Sequence, residues 1–515
     1  MYYLGIDVGT TAIKGVIVDE AGALLASESR EHRQYFPRPG WVEQDPQELL
    51  DSCVLISRTL THRLGLPLSA LRAIGIDHQG ETCLIWDKST GQPVYPAIVW
   101  QDRRMAEVTE QYDPEKSHRM SDITGLRPDS YYSAWKLRWI LDHIPQGQQR
   151  AESGKLLAGT LNTWLIWKLT GGRSFVMDHS TGGCTMLCDV RTGEWDDWIL
   201  KELRLPRQML PEMVCSDGPL GTTDPAVFDG AAVPISATLT DGSAGTVSAG
   251  AGRTGGFIST YGTGSFLHLV TGPEYVAPRE GLTASLCLTT KKERLYQLNG
   301  ICYTAGAAVK WLRDGLRLID SAAETEALAR SVPDTAGVAF VPALNGLATP
   351  DRDQSARGAF LGLTAGTTRA HLVRAVLESA ALQVACCCQL MKNVSGMELT
   401  ALNAVGGMTS NSFLMQLQAN LLGIPVRLPA QTEPAYGTAI LAAAALGHGP
   451  GLDALPQINP SVRTYNPAMS EAEREERIQR WRCAVQRCTQ RHPSGDNKTV
   501  STKMLTKESE RYEQA

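Results

Sequence analysis

The chain has 515 residues, of which 43% are apolar and 20% are charged, with a formal net charge of −5. At ~100–200 residues per domain, this length predicts two large domains or three smaller ones. The acidic balance argues against a nucleic-acid partner, which is bound through a basic excess, and against an anionic membrane surface.

The N-terminus opens directly with a strand-like segment, Tyr2–Asp7, without the basic flank and apolar stretch of a signal peptide. No uninterrupted apolar run approaches the ~20 residues of a membrane span. We therefore expect a cytoplasmic protein with no membrane partner. The twelve cysteines are scattered, and 386–388 are consecutive. This spacing suits neither a disulfide framework nor a zinc site, so we expect buried, reduced thiols.

The first half of the sequence alternates strand and helix patterns, which predicts an α/β protein. Three short strands form a predicted meander, with a Gly-Thr-Thr turn after the first of them. A helix, a pair of strands and two further helices follow. The predicted strands are Tyr2–Asp7, Ala12–Asp19, Ala23–Glu28, Ala73–His78 and Thr82–Asp87, and the predicted helices are Pro46–Leu64, Lys136–His143 and Asn162–Leu169.

A second cycle begins near Gly252 and echoes the first, because strands at Gly255–Tyr261 and Ser265–Thr271 again flank a glycine turn. The helix Gly306–Gly315 and a third glycine turn at Gly406-Gly407 follow. We therefore predict two duplicated domains, residues 1–250 and 251–490, each with a βββ opening and facing the other across a cleft. The polar segment 491–515 is expected to be a disordered tail.

The turn Asp7-Val8-Gly9-Thr10-Thr11 combines a carboxylate at a strand end with small, hydroxyl-bearing residues. Its backbone N–H groups and the Thr10 and Thr11 hydroxyls suit phosphate oxygens. Asp7 is placed to hold Mg²⁺ through water, and Lys14 to reach the terminal phosphate. An ordinary Asp-Gly hairpin turn is the alternative for this motif alone.

Two later turns have a related composition. Thr260–Ser265 includes Thr263, and a pair of such turns can clamp a polyphosphate from both sides of a cleft. Ala404–Asn411 joins a strand to a helix, and its two glycines leave room for a flat ring such as adenine. An ordinary glycine-bearing loop is as compatible with either turn alone. The P-loop and protein-kinase motifs are both absent from the sequence.

Together these motifs resemble those of the FGGY family of carbohydrate kinases, and most closely its glycerol kinase branch, over about residues 3–484. The resemblance is carried by six segments in the family's order: Asp7–Lys14, Gly40–Pro46, Trp100–Arg104, Tyr131–His143 (with Lys136, Trp139 and Asp142), Thr260–Phe266 and Gly358–Glu378 (with Gly362, His371 and Glu378).

The resemblance implies two actin-like or hexokinase-like (ribonuclease H-like) domains around a central cleft, and ATP with Mg²⁺ as cofactors. Asp241 is the implied general base, because a carboxylate that accepts the hydroxyl proton activates a poor nucleophile. The implied acceptor side consists of Gln79, Glu81, Trp100, Tyr131 and Asp241. The implied nucleotide side consists of Thr10, Thr11, Lys14, Thr263, Gly306, Lys310, Gly407, Met408 and Asn411, with Asp7 and Asp241 at the metal.

The sequence departs from glycerol kinases at two positions. They have an arginine where this chain has Gly80, and a glutamine where it has Gly242. Each lost side chain would remove a hydrogen bond worth on the order of 1–3 kcal/mol. We therefore expect an acceptor larger than glycerol, such as erythritol, a pentitol or a ketopentose such as xylulose, with glycerol itself as the alternative.

Two other classes of protein are considered. An actin-like or chaperone-like ATPase would share the three nucleotide turns but lack an acceptor pocket, which the residues around Glu81 predict here. A sugar-binding regulator would not need the phosphoryl-transfer groups that the sequence retains. A homo-oligomer is compatible with the sequence, which does not define the oligomeric state.

Overall fold

The computed structural model describes residues 1–489, so the prediction for 491–515 lies outside the described residues. The first half of the chain alternates strands and helices as its pattern predicts. Its strands are β1 (Tyr2–Val8), β2 (Ala12–Asp19), β3 (Leu24–Glu31), β4 (Glu43–Gln44), β5 (Leu71–His78), β6 (Cys83–Asp87), β7 (Ala97–Ile98), β8 (Leu156–Thr160), β9 (Val176–Asp178), β10 (Glu212–Val214), β11 (Asp217–Thr222) and β12 (Pro234–Thr240).

The helices of this half are α1 (Pro46–Arg63), α2 (Ala106–Glu110), α3 (Pro114–Thr124), α4 (Ser133–His143), α5 (Gly147–Glu152), α6 (Leu161–Leu169), α7 (His179–Gly183), α8 (Asp197–Glu202) and α9 (Asp241–Ser248), with 3-10 turns at Leu68–Ala70 and Arg207–Met209. α1 begins sharply because Asp45 accepts a hydrogen bond from the Gln47 N–H and Pro46 occupies its first position.

The second half contains β13 (Phe257–Tyr261), β14 (Ser265–Gly272), β15 (Thr283–Thr289), β16 (Arg294–Cys302), β17 (Ala339–Val341), β18 (Ala359–Leu361), β19 (Leu402–Val405), β20 (Val426–Pro429) and β21 (Ser461–Tyr465). Its helices are α10 (Gly306–Asp314), α11 (Glu324–Arg330), α12 (Arg369–Ser395), α13 (Ser412–Leu422), α14 (Pro434–Ala445), α15 (Leu455–Ile458) and α16 (Glu471–Gln486), with 3-10 turns at Gly407–Ser410 and Leu452–Ala454.

Two large mixed sheets organise these elements. The first has the order β11-β12-β5-β1-β2-β3, and the second has the order β15-β16-β14-β13-β19-β20-β21. The predicted meander is confirmed, since β1 pairs with β2 and β2 with β3, both antiparallel. Smaller sheets comprise β4-β7-β6-β8, β9 with β10, and β17 with β18.

Two predicted pairings are wrong. The strands Ala73–His78 and Thr82–Asp87 do not pair, because β5 runs parallel between β1 and β12 while β6 pairs antiparallel with β8. The second βββ opening is not three consecutive strands either. β14 pairs with β16, and β15 adds to the outer edge of β16. Both errors concern long-range partners, which local patterns do not specify.

Helix α14 lies against the first sheet although it comes from the far end of the chain. The sheet accommodates it because the facing positions on β1 and β5 are glycines. A Cβ at Gly75 would lie 2.5 Å from the Thr438 carbonyl oxygen, and one at Gly5 would overlap the Ala435 carbonyl. The backbone of α14 therefore packs directly on β1 and β5 and ties the second half of the chain to the first sheet.

Helix α12 is long and apolar enough to cross a membrane by length and composition, but 83% of its most apolar stretch is buried inside the protein. It is a core helix, and it carries the consecutive residues Cys386, Cys387 and Cys388, all of them buried. All twelve cysteines are free thiols and most are buried, as predicted.

Candidate active site

Asp241 is the first residue of helix α9 and directly follows Thr240, the last residue of strand β12. The Thr240 hydroxyl caps this helix, accepting from the Ser243 N–H at 3.4 Å, and Asp241 Oδ1 accepts from the Gly242 N–H at 2.7 Å. Burial raises the pKa of Asp241 to about 6, and the bond from Gly242 opposes that shift. The carboxyl group is thus fixed in position and is a moderate base.

Two further carboxyl groups lie beside it. Asp7 on β1 and Asp77 on β5 are register partners at the ends of parallel strands, and Thr438 donates to Asp77 Oδ2 at 2.6 Å. Burial raises the pKa of Asp7 to about 7 and that of Asp77 well above its ordinary value, with nearby carboxylates adding to both shifts. Asp7 Oδ1 and Asp77 Oδ1 are buried without a hydrogen-bond partner.

The first glycine turn connects β1 and β2, and its Thr10 hydroxyl accepts from Trp100 Nε1 at 2.9 Å. Thr11 is exposed. Lys14 follows on β2 opposite Asp7, and its Nζ lies 2.6 Å from Glu433 Oε2, immediately before α14. Both partners are nearly half exposed, so this ion pair contributes little stability and leaves Lys14 able to exchange partners.

Gln79 follows β5 and holds the first turn in place. Its Nε2 donates to the Gly9 carbonyl at 3.2 Å and to Gln44 Oε1 at 2.8 Å, and Gln44 in turn donates to the Thr10 carbonyl. Only Gln79 Oε1 is left without a partner. The structure therefore shows Gln79 as a support for the first turn, while its role toward an acceptor stays a prediction.

Glu81, Trp100 and Tyr131 are brought together, as expected of a pocket. The rings of Trp100 and Tyr131 meet edge to face with centroids 5.5 Å apart. Burial raises the pKa of Glu81 to about 8, and Lys136 and the Tyr131 hydroxyl oppose this shift. Lys136 is fully buried, and its Nζ donates to the Tyr131 carbonyl at 2.6 Å and to the Glu81 carbonyl at 3.4 Å. Lys136 therefore connects the segment that carries Glu81 to the segment that carries Tyr131.

A buried network of ion pairs joins the segments around Glu43 and Trp100. Arg104 Nη2 lies 2.8 Å from both Glu43 Oε1 and Asp102 Oδ2, with both ion pairs almost fully buried. Asp102 also accepts from the Val42 N–H at 2.7 Å. Removing one member of such a network leaves a buried charge unpaired, which is costly. The segments around Glu43 and Trp100 therefore fix each other.

The other signature residues support the fold. Trp139 stacks on His143, and Asp142 pairs with Arg138 at 2.8 Å. In the later signature, Glu378 pairs with Arg374 at 2.9 Å. His371 forms a capping box with Thr368 at the start of α12, and Gly362 has a positive φ of 79° next to β18. Lys136, from the first of these signatures, contacts the pocket segments through the Tyr131 and Glu81 carbonyls.

The second glycine turn and the start of α10 are joined by backbone hydrogen bonds. Gly306 N–H donates to the Gly262 carbonyl at 3.0 Å, and the N–H groups of Ala305 and Ala307 donate to the Thr263 carbonyl. The Thr263 side chain remains exposed. A Cβ at Gly306 would lie 2.6 Å from the Gly262 oxygen and 3.5 Å from Met408 Sδ. The second and third turns therefore meet at Gly306.

The third turn has mixed roles. Gly407 is exposed, and a Cβ there would meet nothing within 4 Å, so an open face exists at this position. Met408 packs partly into the core. Asn411 caps α13 by accepting from the Leu414 N–H at 3.0 Å, and it donates to Thr325. Lys310 is exposed on the first turns of α10.

Two residues near the site, Asp77 and His268, are not predicted from the sequence. A signal for Asp77 exists, because Gly75-Ile76-Asp77 repeats Gly5-Ile6-Asp7 and the two triplets are register partners in the sheet. His268 on β14 faces Gly242 across the boundary between the halves, with Cε1 and Nε2 both 3.7 Å from the position of a Cβ there. Neither local pattern nor turn chemistry indicates that contact.

The fold and these turns define a class: a two-domain α/β phosphotransferase. Family models describe the same division, since the FGGY carbohydrate kinase N-terminal domain matches residues 2–248 and the C-terminal domain matches residues 258–446. The chain belongs to the FGGY family of carbohydrate kinases and is an enzyme that phosphorylates an alcohol group, as the sequence resemblance implied.

Individual relatives support membership of the same family. The chain is 41% identical to glycerol kinase 2 of Thermotoga maritima, over 94% of this chain and 98% of that protein. It is 42% identical to the glycerol kinase of Alkalilimnicola ehrlichii, over 94% and 97%. The crystal structure of Plasmodium falciparum glycerol kinase with ADP superposes with a TM-score of 0.90 at 30% identity, covering 95% of this chain and 99% of that one.

Proposed function

We propose that the protein transfers the γ-phosphoryl group of ATP to a hydroxyl of a small polyol, with glycerol as the first candidate acceptor. The observation that carries the proposal is the position of Asp241, whose carboxyl is held by the Gly242 N–H beside the first glycine turn. The relatives that are glycerol kinases support glycerol, and the relative determined with ADP supports the nucleotide.

In this proposal Asp241 accepts the proton of the attacking hydroxyl while the phosphoryl group is held in line. Glu81 and Tyr131 bind neighbouring hydroxyls, and the Trp100 ring packs against the carbon chain. Lys136 keeps Glu81 and Tyr131 at a fixed separation through their two carbonyl groups. Gln79 acts on the same site by holding the first turn.

The nucleotide would lie against the three turns. Thr10, Thr11 and Lys14 would contact its phosphates from the first half, and Thr263, Gly306 and Lys310 from the second. The open face at Gly407 would receive the adenosine beside Met408, with Asn411 fixing the adjoining helix. This assignment keeps the predicted division into domains 1–250 and 251–490, with nucleotide binding mainly in the second.

The carboxylate oxygens of Asp7 and Asp241 suit an Mg²⁺ ion that is held mainly by phosphate and water. Within residues 1–489, no group of three or more His, Cys, Asp and Glu side chains could hold a metal ion by itself. The unpartnered Asp7 Oδ1 and the nearby Asp241 are oxygen ligands of the kind that Mg²⁺ accepts beside phosphates. When bound, the ion would neutralise charge on the transferred group.

A second candidate acceptor is a longer polyol or a ketose, because the pocket has space beside two of its carboxylates. Gly80 is buried, yet a Cβ there would meet nothing within 4 Å, and its φ of 40° favours glycine. Gly242 leaves similar room next to Asp241. The two candidates differ only in the length of the acceptor and share the same chemistry.

The acceptor is tested by measuring kcat/KM with ATP and Mg²⁺ over glycerol, erythritol, ribitol, xylitol and xylulose. Glycerol as the preferred substrate would support the first candidate, and a preference of tenfold or more for a longer compound would support the second. ADP formation that none of these compounds stimulates would contradict the proposed function.

The acceptor kcat/KM should also depend on pH. The base acts only when ionised, and the pKa of Asp241 is raised to about 6. We therefore expect kcat/KM to be lost as pH falls through about 6, approaching a tenfold decrease per unit. Tryptophan fluorescence at each pH controls for acid unfolding. A rate that stays constant down to pH 4.5 in the folded protein would argue against Asp241.

We also propose that the enzyme acts in the cytoplasm, as expected of a metabolic kinase that uses ATP. Light scattering would measure the number of subunits in the enzyme.

A further inference from the structure

His268 projects from the second half of the molecule toward the catalytic aspartate. It lies two positions after Phe266 on β14, so its side chain is on the same face of the sheet as the exposed Phe266 ring. The ring edge that bears Cε1 and Nε2 is directed at Gly242, with both atoms 3.7 Å from the position of a Cβ there. Gly242 follows Asp241 directly, so this imidazole borders the proposed acceptor site.

The orientation of the ring is set by a chain of hydrogen bonds. Asn299, the register partner of His268 on β16, donates through Nδ2 to Ser285 Oγ at 3.0 Å. Its Oδ1 is therefore turned toward His268 and accepts from Nδ1–H at 2.8 Å. Burial lowers the pKa of His268, which keeps the ring neutral. With the proton on Nδ1, Nε2 is left as a hydrogen-bond acceptor.

Nε2 has no hydrogen-bond partner among residues 1–489, although Nδ1 is fully engaged. The half-buried ring faces a position where the chain has no side chain at all. A fixed acceptor atom bordering unfilled space next to a catalytic carboxylate is the arrangement that a polar ligand group satisfies. The space adjoins Gly242, the residue after Asp241, so a ligand group placed there would lie next to the proposed base.

We propose that His268 determines acceptor specificity, its Nε2 accepting a hydrogen bond from a hydroxyl that lies beyond the three-carbon unit bound by Glu81, Tyr131 and Asp241. The matching substrates are polyols or ketoses of four or more carbons. The inference rests on the proposed kinase function and adds to it the residue that selects acceptor length. Asn299 is the positioning residue that fixes the tautomer of His268.

The test is the ratio of kcat/KM for the best longer acceptor to kcat/KM for glycerol, measured in the full-length protein. We expect this ratio to fall about tenfold from the wild type to His268→Leu, which keeps a similar volume but cannot accept a hydrogen bond. His268→Gln, whose Oε1 can accept, should retain part of the selectivity. Asn299→Leu should lower the ratio in the same direction.

His118→Leu, on the exposed surface of α3, is the matched control and should leave the ratio unchanged. Melting temperatures identify variants that fail to fold. If His268→Leu does not fold, the ratio measured for His268→Gln tests the inference. An unchanged ratio in folded His268 variants, or a wild type that uses glycerol alone, would overturn the inference while leaving the kinase function intact. Activity on no acceptor would refute both.

Discussion

Asp241→Asn is expected to lower kcat by about 10²–10⁴-fold, the range that a positioned general base contributes. Asn has the shape of Asp and can still accept from the Gly242 N–H through its oxygen, so the turn into α9 should persist. It cannot accept the proton of the attacking hydroxyl. The loss should therefore fall on phosphoryl transfer and spare nucleotide binding.

Steady-state kinetics and ATP titration by calorimetry check this result together. The ATP Kd of Asp241→Asn should stay close to that of the wild type, and Asp453→Asn, on the 3-10 turn at Leu452–Ala454, serves as the matched control with normal kcat. A kcat within a few-fold of wild type in Asp241→Asn would remove Asp241 from the mechanism.

Gly306→Val should have the second-largest effect, on the nucleotide side. The new Cβ would lie 2.6 Å from the Gly262 carbonyl oxygen, closer than real Cβ contacts allow, and the obstacle is backbone. The start of α10 must then move away from the second turn and strain the bond between Gly306 N–H and Gly262. Overpacking costs about 1–3 kcal/mol, so we expect ATP affinity to fall by about 5- to 150-fold.

The matched control is Gly451→Val, because a Cβ at Gly451 meets nothing within 4 Å and the residue precedes a surface turn. Calorimetric titration with ATP compares the two variants, and thermal unfolding separates a local defect from global destabilisation. Unaltered ATP affinity in a folded Gly306→Val protein would show that the contact between the second turn and α10 does not shape the nucleotide site.

Much of this arrangement could be predicted because it is local. The opening meander follows from alternating apolar residues and a glycine turn, and β12 ends at Thr240, directly before Asp241, as the apolar run before it indicates. The third turn joins β19 to α13 as expected. In each case the sequence pattern and the structural feature that it predicts lie within about ten residues of each other.

The remainder depends on contacts distant in sequence. Thr438 meets Asp77 across 361 positions, and no local pattern shows that α14 returns to the first sheet. The small residues at Gly5 and Gly75 become meaningful only once that helix is in place. His268 lies within the predicted strand Ser265–Thr271, and its contact with Gly242 exists only between the two halves.

We propose that the chain moves a phosphoryl group from ATP to an alcohol rather than to water. ³¹P NMR of a reaction with ATP, Mg²⁺ and the preferred polyol distinguishes these two reactions. We expect a phosphomonoester signal that grows in step with ADP and stays absent with Asp241→Asn. ADP accompanied by inorganic phosphate alone, at a rate independent of the polyol, would contradict it and identify an ATPase.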